Sequence, residues 1–113
     1  MINDKRKHPR YPAQARVRIP EVFDGEALLK DISITGCGIE STMLIDVKSG
    51  DQFNMEIICE SASKIGNFEI QVEAKWVRMR DCACEVGFAI TASPVGKQFQ
   101  RYVDYLAFRS NSK

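Results

Sequence analysis

The sequence predicts a mainly β protein: a small six-stranded antiparallel barrel carrying one C-terminal helix. Three observations predict it. Apolar residues alternate with polar ones at period two in run after run between Ala15 and Ile90. The runs are short and evenly spaced, with Asp-Gly, Ser-Gly and Ser-rich turn signals between them. After Ser93 the period lengthens to that of a helix. At 113 residues the chain is long enough for one core and one domain.

Residues 1–12 show no apolar periodicity, and Pro9 and Pro12 bar a helix, so they read as an extended, flexible, arginine-bearing arm. Residues 13–113 form the folded body. Ala15, Val17 and Ile19 alternate with Gln14, Arg16 and Arg18 as the first strand. Asp24-Gly25 marks a turn, and Glu26–Ser33 is the second strand. Gly36 and Gly38 then interrupt the pattern, as glycine does at a bulge, a positive φ or a close backbone approach. The next strand and its connection are expected over Ile39–Val47, closed by a turn at Lys48–Asp51.

Phe53, Met55, Ile57 and Cys59 alternate as a further strand, and the polar stretch from Glu60 to Asn67 is a loop. Phe68, Ile70, Val72, Ala74 and Trp76 form the longest alternating run. Past Trp76 the apolar phase moves to Val77 and Met79, which predicts a bulge or a re-aimed residue near position 76. Cys84, Val86, Phe88 and Ile90 close the β region. Ser93 as N-cap and Pro94 at the first turn open a helix over about 93–109, with Val95, Phe99, Tyr102, Val103 and Leu106 on one face. That helix either plugs a barrel end or pairs with a second copy, giving a monomer or a weak homodimer.

The net charge of +1 hides an asymmetry. Residues 1–20 hold six basic side chains and one acid, a surplus of five that the remaining residues offset by four. A basic segment on a near-neutral body fits a small anionic partner better than a long nucleic acid, although a solvated tail has the same composition. No apolar run is long enough for a membrane span, and the charged N-terminus from Asp4 onward does not read as a secretory signal, so a cytoplasmic protein is expected. Cys37, Cys59, Cys82 and Cys84 lack zinc-knuckle spacing, and the single histidine, His8, lies far from them, so we expect reduced thiols, no metal and no cofactor. Nor does the sequence offer a nucleophile with a base and an orienting partner, which argues against an enzyme.

Two segments carry the binding chemistry. Arg6 and Arg10 put two guanidiniums on the arm, each able to grip the O6/N7 edge of guanine, stack on a purine or hold a phosphate. Asp31 and Ser33 occupy alternate positions at a strand end, so both are expected to project from one face, with Gly36 allowing backbone to approach a ligand. A carboxylate accepts from guanine N1–H and N2–H2, donors that adenine does not pair in this way. The plainer account of the same six residues is a Ser or Asx turn with glycine at a positive φ. Lys5, Gly38 and Trp76 are secondary candidates: a phosphate contact, a second bare backbone position, and either a stacking platform or a core residue.

Arg6-x-x-x-Arg10, then Asp31-x-Ser33-x-x-Gly36, then Glu85-Val86-Gly87-Phe88 before a C-terminal helix, resembles the PilZ domain family over nearly the whole chain. The resemblance implies a split barrel of PilZ type and a bacterial receptor for cyclic di-GMP. It implies that Arg6 and Arg10 wrap the guanines and phosphates, that Asp31, Ser33 and Gly36 form the facing wall, and that the arm folds over the ligand. It further implies output through an unidentified downstream protein controlling motility, exopolysaccharide or adhesion in biofilms. Many members carry an additional arginine where this chain has Lys5, which leaves open whether one or two ligand molecules bind. A PilZ-type interaction module without nucleotide is the alternative.

Overall fold

The computed structural model describes residues 9–92 and 97–111. Seven strands and one helix follow in chain order: β1 (Tyr11–Pro12), β2 (Arg16–Arg18), β3 (Ala27–Ile32), β4 (Gly36–Ser41), β5 (Gln52–Ile58), β6 (Phe68–Arg80), β7 (Ala83–Ala92) and α1 (Gln98–Asn111). The sheet runs β1-β3-β2-β5-β6-β7-β4, and the antiparallel pairing of β3 with β4 closes the six longer strands into the expected barrel. β1 and β2 lie on the same edge of β3. The hydrogen bonds from Ala13 N–H to Lys30 C=O and from Leu29 N–H to Ala15 C=O make residues 11–18 nearly one continuous strand.

Period-two alternation becomes an inside and an outside. Val17, Leu29, Ile39, Met55, Ile57, Ile70, Val72, Ala74 and Val86 are fully buried, while their neighbours along each strand are mostly polar and face water. Helix α1 lays Phe99, Tyr102, Val103 and Leu106 onto the core. Burying a leucine of this kind contributes about 1.5–3 kcal/mol. Phe68 meets both Phe99 and Tyr102, with ring centroids 6.1 and 6.0 Å apart. Glu60, in the β5–β6 loop, accepts a 2.6 Å hydrogen bond from the Tyr102 hydroxyl and a 3.1 Å bond from Arg109. Burial first, then the Glu60 bond, pushes the Tyr102 hydroxyl well above its usual pKa.

The structure departs from the sequence reading in two places. β4 runs straight through Gly36 and Gly38 and ends at Ser41, rather than beginning at Ile39 and reaching Val47. Both glycines sit in paired positions, so they thin the strand without breaking it. The arm's last residues are built into the sheet as β1. Helix α1 is described from Gln98, and the Ser93 cap and Pro94 lie outside the described residues, as do Lys5 and Arg6. The bulge is where the phase change placed it: Ala74 pairs with Phe88 but Trp76 with Gly87, so Lys75 is the extra residue.

Truncating Leu106 to alanine removes the helix's most buried aliphatic side chain. We expect a loss of about 2–5 kcal/mol in urea unfolding, with the mutant's barrel strands still formed by circular dichroism at low denaturant.

Candidate functional site

The register of β1 on β3, Tyr11 opposite Ile32 and Pro12 opposite Asp31, delivers Arg10 beside Asp31. The Arg10 Nη1 donates to Asp31 Oδ1 at 3.4 Å, with both side chains partly exposed. Neither Gly36 nor Gly38 has a positive φ. Their function is space. A Cβ on Gly36 would stand 2.9 Å from Arg10 Nη2 and from the Phe88 carbonyl oxygen, and one on Gly38 would stand 3.2 Å from Asp31 Oδ1. The bare strand lets guanidinium and carboxylate lie close against the backbone.

Gly87, opposite Gly38 on β7, extends this floor. A Cβ there would run into the indole of Trp76, so the ring rests directly on the strand. The bulge at Lys75 turns Trp76 outward, and it is 42% exposed, which settles its placement outside the core. The Arg78 guanidinium stands 5.0 Å from the indole centroid, within cation–π range. Two shallow hollows share Arg10 and Trp76. One of about 150 Å3 is lined by Thr35, Gly36, Lys75 and Ala89; the other, of about 190 Å3, by Lys30, Asp31, Gly38, Arg78 and Glu85.

Ser33 behaves differently from the expectation for it. β3 ends at Ile32, so strand alternation does not carry past that point. The Ser33 side chain is buried, and its hydroxyl accepts 3.1 Å hydrogen bonds from the N–H groups of Thr35 and Gly36. With the Ser33 N–H donating to the Gly36 carbonyl at 2.8 Å, it fixes the β3–β4 turn. Ser33 therefore sets the position of Gly36 and does not project beside Asp31. Sequence reasoning also missed a charged cluster. Glu85, almost fully buried, accepts from Arg78 at 2.8 Å and from Lys30 at 3.0 Å. Arg78 first and Lys30 second hold its carboxyl below the ordinary range, while Glu85 raises Lys30. The signal was the Glu85-Val86-Gly87 segment, but its partners come from other strands.

Cys37 is buried beneath this floor, and burial pushes its thiol up to about 12. All four cysteines are free, and among the described residues no group of three potential ligands could hold a metal. No helix of the described residues is long and apolar enough to cross a membrane.

A family model described as the PilZ domain matches residues 4–107. The chain belongs to the PilZ family. The match covers the β-barrel and most of α1. Among solved structures, the Bacillus subtilis inhibitor of motility (MotI/DgrA) aligns with 98% of this PilZ chain at TM-score 0.78 and 16% identity. The chain spans about half of that protein, 54% of its length. The PilZ domain of YcgR from Escherichia coli, solved with c-di-GMP, aligns over 95% of both chains at TM-score 0.69 and 16% identity. The K. pneumonia MrkH–c-di-GMP complex covers 99% of this chain and 56% of its own at TM-score 0.71 and 15% identity. No curated protein sequence matches.

Two outcomes follow from the geometry. Gly87→Ala should push the indole off β7, shifting the emission of this PilZ domain's single tryptophan to longer wavelength and raising its quenching by acrylamide. For Glu85, whose folded pKa is lowered, the stabilisation is complete above the ordinary value of 4.5 and is lost as pH falls through the lower folded value. Denaturant midpoints measured from neutral pH down through that range should therefore fall less steeply for Glu85→Gln than for the parent.

Proposed function

We propose that this PilZ domain is a receptor for cyclic di-GMP, acting without catalysis. The observation that carries the reading is the convergence of Arg10, Asp31 and Trp76 over the glycine floor of β4 and β7. The Asp31 carboxylate can accept from guanine N1–H and N2–H2. Arg10 can turn from Asp31 to offer its fork to guanine O6/N7 or to a phosphate. Trp76 and Arg78 present faces on which a purine stacks. Ser33 holds the turn that keeps Gly36 out of the way. The c-di-GMP-bound YcgR and MrkH structures support the same reading by fold.

Arg6, and Lys5 beside it, would complete the grip from the arm, whose ordering over the ligand presents a new surface to a downstream protein. Control of motility, exopolysaccharide or adhesion from the cytoplasm is the corresponding cellular role, the first in keeping with the inhibitor of motility among the structural relatives.

Calorimetric titration with cyclic di-GMP, with GTP as control, tests the reading. Saturable selective binding is expected, its molar ratio reporting whether one or two molecules are held. Arg10→Ala removes a bidentate contact worth about 1–3 kcal/mol, so affinity should fall by roughly 5- to 150-fold. Equal affinity of mutant and parent would overturn the site assignment, and a flat titration of the parent would leave a protein-interaction module that does not bind nucleotide.

A further inference from the structure

β6 outlasts its neighbour. Its ladder with β5 runs from Phe68 opposite Ile57 to Glu73 opposite Gln52, and a last pair of bonds joins Ala74 to Gly50 and Asp51. β6 then continues to Arg80 paired only with β7. Among the described residues, the other edge of Lys75–Arg80 has no strand beside it. That is roughly 20 Å of open edge, the length of an ordinary strand.

The two-residue turn at Asp81-Cys82, with φ of 51° and 66°, makes Arg80 and Ala83 its hydrogen-bonded closing pair. Alternation along the ladder then points the N–H and C=O of Val77 and Met79 away from β7, toward the open edge. The side chains divide cleanly. Val77 and Met79, opposite the buried Val86 and Cys84, lie on the inner face, yet they are 37% and 60% exposed. Trp76, Arg78 and Arg80 lie on the outer face. The β4–β5 connection adds to the apolar side: Leu44 is 73% exposed, and the carbonyl of Ile45 contacts the Cys84 thiol, opposite Met79.

We infer that the Lys75–Arg80 edge takes an added strand from a partner protein, an extended segment in which acidic residues alternate with apolar ones. The backbone of Val77 and Met79 supplies the ladder, as in strand addition generally. Apolar side chains of the partner cover Val77 and Met79, and its carboxylates stand beside Arg78 and Arg80. Lys75 and Arg78 already lean on Glu73 and Glu85, whereas Arg80 has no ion-pair partner among the described residues. Charge also rules against a second copy as occupant. The edge carries Lys75, Arg78 and Arg80 with no acid, so self-pairing would set cations against cations. This surface shares Trp76 and Arg78 with the proposed nucleotide site, but its backbone edge and the apolar pair Val77 and Met79 do not line that site, and its test uses no nucleotide.

Amide hydrogen exchange of the whole chain, with a capped peptide of alternating glutamate and valine, tests the inference. Exchange at Val77 and Met79 should slow by roughly tenfold at millimolar peptide, while a lysine–valine peptide leaves it unchanged. Met79→Pro removes an outward N–H that the fold does not use, so it should keep the parental melting curve and lose the protection; Arg80→Glu should weaken it. No protection by the acidic peptide overturns the inference. So does equal protection by the basic one, or protection that appears without peptide as protein concentration rises, which would assign the edge to a second copy.

Discussion

The ladder between β6 and β7 is the constraint on which the rest of the molecule depends. It runs from Gln71 opposite Ala92 to Arg80 opposite Ala83, longer than any other pairing in the sheet. Its first half is barrel wall, with Val72, Ala74 and Phe88 in the core. Its second half stands clear of β5. The single inserted residue, Lys75, separates the two halves by flipping the strand's phase. Before the bulge, residues 70, 72 and 74 point inward; after it, Trp76 points outward onto Gly87 and Arg78 reaches Glu85. Removing that residue would return Trp76 to the core face and leave the glycine floor without a ring over it.

The charges on this floor are already paired, and under the proposed function that sets the energetics of ligand capture. Arg10 and Asp31 form one contact, at 3.4 Å between partly exposed groups, a kind of pair that contributes about 0–1 kcal/mol. A ligand that offers Arg10 a planar acceptor pair and Asp31 a donor pair replaces one weak contact with two bidentate ones. The Lys30–Glu85–Arg78 cluster is different. Glu85 is nearly buried and holds two cations at 3.0 and 2.8 Å, so it is suited to keeping Arg78 fixed beside Trp76. One arginine is poised to exchange partners and the other is braced.

Much of this was legible in the sequence because it is local. Period-two alternation located β5, β6 and β7, and the phase change past Trp76 located the bulge. Asp31, Gly36 and Arg10 stood out by residue type and spacing. What was not legible depends on register. Lys30 and Glu85 are 55 residues apart and meet only because β4 lies between their strands. Gly36 and Gly38 looked like interruptions because sequence does not show that an arginine and an aspartate must lie against them. The projection of Ser33 beside Asp31 failed for a related reason: alternation holds only while a strand continues, and β3 stops one residue too soon.

The open edge of β6 carries two features that answer to different physical demands. Exposed strand edges invite pairing with other chains, and lysine or arginine on the edge discourages it. Lys75, Arg78 and Arg80 meet that demand for copies of this chain, since identical basic edges repel one another. Repulsion alone would be served as well by polar residues between the cations. Instead those positions hold Val77 and Met79, with Leu44 exposed nearby. Leaving apolar side chains in water gains nothing unless something covers them, and a cover that tolerates three cations must bring negative charge. The same side chains that exclude a second copy therefore select an acidic strand.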